Sequence, residues 1–232
     1  MCSLFRVVVL LWCRGVGLPA ISAVQPPPSC PNGSALRHSA FAFDLCKLQE
    51  YNQILGLQTL VHFHIGTLIV NQREQLVQMA KDAGSTHLLW LDSDMMFPPD
   101  TAQQLMKHDK PIVAANYVTR QYPHKTVAYM SMDGWSDYLV NSASQQGELI
   151  PVQAVGMGCM LTSMDVYPRL KTPYFETTWI PKLNDHLGED FTFCKKVRDL
   201  GYEVLIDNDL SLKIQHLGTF AFNQGMVVQP KA

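Results

Sequence analysis

Two carboxylates stand where a strongly apolar segment of the sequence ends. The run Leu89-Trp90-Leu91 is followed by Asp92 and, two residues later, by Asp94. While a strand stays extended, residues i and i+2 point to the same face, so both carboxylates can address one hard divalent cation. Ligand sites of α/β sheets lie at the carboxyl ends of strands, where this pair falls. The alternative is that the aspartates cap the next helix. That helix is predicted to begin only at Pro98, too far from Asp94 for a cap, so a functional role is favoured.

A second acidic pair, Glu189 and Asp190, stands at the start of a predicted amphipathic helix over 190–200. Acidic residues in a first turn are stabilised by the helix dipole without having any other function. The alternative is a carboxylate base that the same backbone amides hold ionised. The presence of the first acidic pair in the chain, and of His186 close by, favours the base.

A third candidate is His216, at the end of a predicted strand over 210–216. On one strand, Leu210, Leu212, Ile214 and His216 share parity, so the imidazole follows apolar residues onto one side. Such a histidine is usually a satisfied core or strand-end residue. A neutral imidazole is also a suitable further ligand for a metal that a carboxylate already holds.

Three weaker signals concern phosphate and nucleotide binding. Arg73 and Arg120 could each meet a phosphate, although a solvated surface arginine is the default interpretation. Gly156 and Gly158 follow a predicted strand, but a lone G-x-G lacks the third glycine and the acidic residue of a dinucleotide fingerprint.

Composition excludes several classes of protein. The 232 residues carry 18 basic and 20 acidic side chains, a net charge of −2, and 47% of the residues are hydrophobic. This balance excludes a general binder of the nucleic-acid backbone, which needs a basic surface, and a largely disordered chain. We therefore expect no nucleic-acid partner.

The N-terminal segment allows several interpretations. Its apolar run over 7–13 is too short to span a bilayer, so we expect no integral membrane span. It could be the core of a signal peptide with cleavage near Ala23, an upstream extension, or a first strand. We expect residues 1–19 to be a leader or extension and 20–232 to be the catalytic domain of a cytoplasmic protein, or of a secreted one if 1–23 is a signal peptide.

Strands and helices alternate along the remaining sequence. Helices are predicted over 41–55, 71–83, 98–107 and 190–200, and strands over 57–63, 87–91, 111–115, 152–155, 203–206 and 210–216. This alternation, with a continuously apolar run at 87–91, predicts a single α/β domain with a mostly parallel central sheet.

Residues 86–98, from Thr86 to Pro98, resemble the DxD segment of small glycosyltransferases with the glycosyltransferase-A fold. Further segments resemble stand-alone, family-2-like members of bacterial and phage type, in the same order along residues 56–220. They are 111–117 with Arg120 and Pro123, the glycine pair within 155–161, and the C-terminal pairs Glu189-Asp190, Phe193-Cys194, Gly201-Tyr202 and His216-Leu217-Gly218.

The resemblance implies a metal-dependent transferase with a donor-binding half over 20–125 and an acceptor half over 126–232. It would move a sugar from a UDP- or GDP-linked donor to a hydroxyl of a carbohydrate or other acceptor, and we expect inversion at the anomeric carbon. The cofactor would be Mn²⁺ or Mg²⁺.

The resemblance also implies a role for each site residue. Asp94 would ligate the metal directly, Asp92 would hold the ribose or a metal-bound water, and His216 would complete the metal site. Asp190 would be the acceptor base, with Glu189 as the next candidate. At the donor nucleotide we expect Arg73 and Gly158 beside Asp92 and Asp94.

Two alternatives belong to other classes of protein. A haloacid-type phosphatase also begins with an apolar strand and D-x-D, but Met95-Met96-Phe97 does not fit its pattern. The other alternative is a non-catalytic, sugar-binding or metal-stabilised module.

Overall fold

The computed structural model describes residues 5–13, 34–132, 137–181, 184–218 and 221–227, which form a mixed α/β domain. The helices in these ranges are α1 (Ser34–Ile54), α2 (Ile69–Asp82), α3 (Thr101–Met106), α4 (Glu189–Asp199) and α5 (Asn208–Ser211). The strands are β1 (Phe5–Cys13), β2 (Thr59–Gly66), β3 (Ser85–Asp92), β4 (Met95–Met96), β5 (Ile112–Ala114), β6 (Ala128–Tyr129), β7 (Leu149–Val152), β8 (Ala154–Val155), β9 (Cys159–Ser163), β10 (Thr178–Ile180), β11 (Asp185–Leu187), β12 (Val204–Asp207), β13 (Gln215–Leu217) and β14 (Ala221–Phe222).

The largest sheet is mixed. Its seven strands lie in the order β2-β1-β3-β9-β5-β12-β7. Among the strands that the structure describes, β5 and β12 are the one parallel pair in this sheet, and its other neighbours are antiparallel. The predicted mostly parallel sheet is therefore not confirmed. A continuous apolar run shows that both faces of a strand are covered, and it carries no information on the direction of the neighbouring strands.

Strand β3 carries the apolar run and is covered on both faces. Leu88 and Trp90 pack in one cluster with side chains of α2 and α4, whereas Leu89 and Leu91 pack in the other with side chains of α1 and α3. All four side chains are fully buried. Burial of each contributes about 1.5–3 kcal/mol, so the strand that ends in Asp92 is held firmly in the core.

The N-terminal residues 5–13 form a strand inside the sheet. β1 lies between β2 and β3 and is antiparallel to both, with Val9 opposite His62 and Trp90. The expectation of a leader or extension over residues 1–19 stays a prediction, and for 5–13 the structure favours the alternative of a first strand. A short, β-branched apolar run fits an interior strand as well as a signal-peptide core, and its sequence alone does not separate the two. Residues 14–33, including the suggested cleavage point Ala23, lie outside the described residues.

The predicted strand over 210–216 is wrong for its first half. Residues 208–211 form the short helix α5, whose start is capped by Asp207: its Oδ1 accepts a hydrogen bond of 2.8 Å from the N–H of Leu210. Only Gln215–Leu217 is extended, as β13. The shared parity of Leu210 and His216 therefore does not place the imidazole, and the pairing of β13 with β4 positions the segment that carries it.

The remaining predicted elements agree better with the structure. The helices predicted over 71–83 and 190–200 are α2 and α4, and the strands predicted over 87–91 and 203–206 are β3 and β12. The helix predicted over 41–55 begins earlier, at Ser34. Within the described ranges, no helix combines the length and the apolar character needed to cross a membrane.

Substitution Val9→Pro tests the placement of β1. Proline removes a backbone donor and clashes in a strand that is paired on both sides, so we expect a loss of about 3 kcal/mol or more of unfolding free energy. The measurement is chemical denaturation, with deletion of residues 1–17 as a second variant. Unchanged stability in both variants would show that β1 is not part of the folded sheet.

Candidate functional site

Asp92 and Asp94 lie where β3 leaves the large sheet. The backbone N–H of Asp92 donates to the carbonyl of Gly158 at 3.0 Å. Asp94 lies in the turn before β4, and its carbonyl accepts a hydrogen bond of 2.7 Å from the N–H of Leu217. β4 pairs with β13, the strand that carries His216. The chain thereby places its C-terminal signature directly against the segment with the two aspartates.

The two aspartates have different partners. Extended geometry ends at Asp92, so the alternation that would turn both carboxylates to one cation does not continue to Asp94. Asp92 forms an ion pair with Arg73, whereas Asp94 interacts with Arg120 and His216. Only Asp94 is thus brought together with the predicted histidine ligand.

The imidazole of His216 is oriented by a backbone carbonyl. Its Nδ1 lies 2.8 Å from the carbonyl oxygen of Val118, and its Nε2 lies 3.5 Å from Oδ2 of Asp94. Because a carbonyl only accepts, Nδ1 carries the hydrogen, and Nε2 is the nitrogen that faces Asp94. Nε2 donates to that carboxylate when the ring is protonated and offers a lone pair to a cation when the ring is neutral. This is the usual arrangement of a metal-binding histidine, whose other nitrogen donates to a carbonyl or carboxylate.

Asp94 is held ionised by its neighbours. Burial acts to raise the pKa of this carboxyl, but the hydrogen bond and charge of His216 and the charge of Arg120 outweigh burial and lower it. Nη1 of Arg120 lies 2.9 Å from Oδ2 of Asp94. The carboxylate is therefore a negative ligand across the neutral pH range.

Arg73 lies in the interior, between two carboxylates. It is 1% exposed; its Nε donates to Oε1 of Glu189 at 3.1 Å, and its Nη2 lies 3.6 Å from Oδ1 of Asp92. Its guanidinium also lies over the ring of Trp90, 5.5 Å from the centroid. This placement favours a positioning role for Arg73 over the predicted contact with the nucleotide. Glu189 is likewise occupied by an internal ion pair, which leaves Asp190 as the better candidate for a base.

Burial raises the pKa values of Asp92 and Asp190. The pKa of Asp92 is raised to about 6 by burial, against the lowering effect of Arg73. The pKa of Asp190 is raised to about 7, first by burial and then by the negative charge of Glu189. The N–H of Phe191 does donate to Oδ1 of Asp190 at 2.8 Å, but burial outweighs this bond. The prediction that backbone amides keep Asp190 ionised is therefore corrected: its pKa lies near neutrality, where a general base is most effective.

Gly158 makes room for an aromatic ring. A Cβ atom at Gly158 would lie 2.8 Å from Cζ and Oη of Tyr117, and one at Gly156 would lie 2.4 Å from the same Oη. The N–H of Gly158 donates to that oxygen at 3.2 Å, and the Tyr117 ring packs edge-to-face on His216 with centroids 5.2 Å apart. The glycine pair thus supports His216 through Tyr117. A contact between Gly158 and the donor stays a prediction.

The residues at the site fit a divalent cation whose remaining coordination positions are filled by the substrate. Among the described residues, no group of three or more His, Cys, Asp or Glu side chains could hold a metal. Asp94 and His216 nevertheless present a carboxylate oxygen and an imidazole nitrogen to each other. Mg²⁺ is commonly bound by one or two carboxylates together with substrate phosphates, so a pair of protein ligands is compatible with a metal–diphosphate complex.

The sequence offers little reason to expect two of the residues at the site. The default interpretation of Arg120 is a solvated surface arginine, and Tyr117 enters the sequence analysis only as part of the segment 111–117. Both reach the site because β13 pairs with β4 and because Tyr117 packs over the glycine pair. The ordered position of Arg120 after the segment 111–117 is the one signal that could have indicated it.

Comparisons with known proteins give little information on this chain. No family model matches it, and no curated protein matches it. Among solved structures the chain is similar to the crystal structure of A197 from STIV, with 17% sequence identity and a TM-score of 0.48 over 72% of this chain and 82% of that one. A likeness at this level carries no argument about function, which therefore depends on the site itself.

The raised pKa of Asp190 predicts how stability depends on pH. The unfolded chain releases this proton near pH 4 and the folded protein only near pH 7, so the folded state binds more protons in between and stability falls as the pH rises through this window. Asp190→Asn removes the titration. We expect this variant to have a higher melting temperature than the parent at pH 8 and no such advantage at pH 4. The exposed Asp185→Asn is the control, and an Asp190→Asn advantage that is equal at both pH values would contradict the assignment.

Proposed function

We propose that the protein is a metal-dependent glycosyltransferase that moves a sugar from a nucleoside-diphosphate donor to a hydroxyl acceptor. The observation that carries the proposal is the convergence of three distant segments at the end of β3. Asp94 meets His216 there, and Asp92 is joined through Arg73 to the start of α4, which carries Asp190. The resemblance of the same segments to glycosyltransferases of the glycosyltransferase-A fold supports this reading.

Asp94 and His216 would hold Mn²⁺ or Mg²⁺, with Asp92 placed to bind the ribose or a metal-bound water. When bound, the cation would neutralise the charge that develops on the diphosphate as it departs. The protein's own contribution is to fix the ligands. His216 is held by Val118 and Tyr117, and Asp94 is fixed through its backbone to Leu217.

Asp190 would act on the acceptor. As the acceptor oxygen forms its bond to the anomeric carbon, the bond from that carbon to the donor phosphate breaks, and the Asp190 carboxylate takes the hydroxyl proton. Base catalysis of a direct displacement corresponds to inversion at the anomeric carbon. A pKa of about 7 means that both forms of this carboxyl are populated at neutral pH.

The geometry disfavours the phosphatase alternative. In that class the first aspartate of the D-x-D pair is the nucleophile and must be free to attack phosphorus. Here the Asp92 carboxylate is engaged in an ion pair with the buried Arg73, so it is a poor candidate for a free nucleophile. A non-catalytic sugar-binding module has no specific observation in its favour, and the binding and turnover measurements below separate it from an enzyme.

Asp94→Ala tests the metal assignment. The residue lies in a turn, so we expect the fold to survive and the Mn²⁺-dependent binding of nucleotide sugars to be lost. The measurement is thermal shift with a panel of UDP-, GDP- and CDP-sugars, with and without Mn²⁺. A bound donor at about a hundredfold excess over Kd stabilises the parent by about 2.7 kcal/mol. Asp185→Ala is the matched control, and Mn²⁺-dependent donor binding by Asp94→Ala equal to that of the parent would refute the assignment.

Asp190→Asn and His216→Ala together test the separation of base from metal ligand. Asp190→Asn keeps the shape of the side chain, so donor affinity should remain while single-turnover rate falls by roughly 10²–10⁴-fold. His216→Ala should weaken metal-dependent donor binding as well. In the parent, the rate should rise with pH to a plateau above about pH 7, because the base must be deprotonated. An equal loss of donor affinity in both variants would contradict the separate roles, and full turnover by Asp190→Asn would contradict the base.

A further inference from the structure

Arg120 binds the same carboxylate oxygen that we assign to the metal. Its Nη1 lies 2.9 Å from Oδ2 of Asp94 and donates to the carbonyl of Leu217 at 3.1 Å. Nε2 of His216 faces the same Oδ2 at 3.5 Å. The guanidinium of Arg120 and the imidazole of His216 therefore approach the same carboxylate oxygen.

A guanidinium and a divalent cation compete for binding to Oδ2 of Asp94. Both are positively charged, and at hydrogen-bond distances their mutual repulsion opposes joint binding to one carboxylate. Each neutralises Asp94 in the absence of the other. A cation that binds His216 and Oδ2 of Asp94 would compete with Arg120 for that oxygen.

Arg120 is far more accessible to solvent than Arg73. The side chain of Arg120 is 41% exposed, whereas that of Arg73 is 2% exposed. The stem of Arg120 passes close to Gly218, where a Cβ atom would lie 3.1 Å from its Cδ. The guanidinium can leave Asp94 for solvent or for a bound anion without opening the core.

We propose that Arg120 is an exchangeable counter-ion, which holds Asp94 in the metal-free protein and transfers to the donor diphosphate when a divalent cation takes its place. This inference rests on the proposed function. The planar fork of arginine matches phosphate oxygens, and its hydrogen bonds to phosphate are charge-assisted. A diphosphate on a cation held by Asp94 brings phosphate oxygens within reach of the group that the cation displaced.

The test measures Mn²⁺ alone and Mn²⁺ with inorganic pyrophosphate, by calorimetry and electron paramagnetic resonance, on the full chain. Arg120→Gln removes the competing charge from Asp94, so we expect Mn²⁺ alone to bind roughly three- to tenfold more tightly than to the parent. Affinity for pyrophosphate in the presence of saturating Mn²⁺ should fall by about tenfold, because the charge-assisted contact is lost. Arg169→Gln, an equal change of charge at an exposed arginine that contacts Tyr202, should alter neither affinity.

The two effects have opposite signs, which a merely structural role would not produce. Arg120→Gln that binds Mn²⁺ no more tightly than the parent, including the case in which neither binds it, would overturn the counter-ion role. Unchanged or tighter binding of Mn²⁺–pyrophosphate would overturn the transfer to the diphosphate. Asp94→Ala, titrated alongside, tests the metal assignment of the proposed function separately from the role of Arg120. If this variant binds Mn²⁺ like the parent, the metal site lies elsewhere.

Discussion

The buried guanidinium of Arg73 is the interaction on which the rest of the site depends. It joins Asp92 at the end of β3 to Glu189 at the start of α4, two residues that lie far apart in the chain. Removal of one partner of a buried ion pair typically costs about 3–5 kcal/mol, because the remaining charge is left without compensation. Without Arg73, the buried Glu189 and the partly buried Asp92 would lose their counter-ion, and a third carboxyl, Asp190, would lie beside them. The position of α4, which carries the proposed base Asp190, relative to the strand that carries Asp92 thus depends on a single side chain.

The parts of the site that could be predicted from the sequence are those fixed by local pattern. The apolar run of β3 and the polar residues directly after it place Asp92 and Asp94 at the end of a strand, and this holds in the structure. The 3.6-residue period of α4 likewise places Glu189 and Asp190 in its first turn. Both inferences need only the periodicity of one element and knowledge of where α/β proteins bind ligands.

The parts that could not be predicted are those fixed by pairing between distant segments. The partners of β1, the direction of most strands and the contact of Arg120 with Asp94 all depend on which elements lie side by side. No local composition encodes that choice. The burial of Arg73 is a similar case, since one charged residue on an amphipathic helix is ordinarily solvated and only the opposing carboxylates make its burial favourable.

Asp92, Asp94 and Asp190 carry the same carboxyl group, but their surroundings give them different pKa values and so suit them to different roles. Burial dominates at Asp92 and Asp190 and raises their pKa values, whereas His216 and Arg120 lower that of Asp94. A ligand for a cation must stay ionised, and a base must be able to accept a proton near the working pH, so opposite shifts are what the two tasks require. The two arginines explain how one small site maintains both states. Arg73, in the interior, fixes the position of Asp92 and Glu189 and limits how far burial can raise the pKa values of Asp92 and Asp190. Arg120, whose side chain is 41% exposed, helps to keep Asp94 charged, and in our proposal it gives way to a divalent cation.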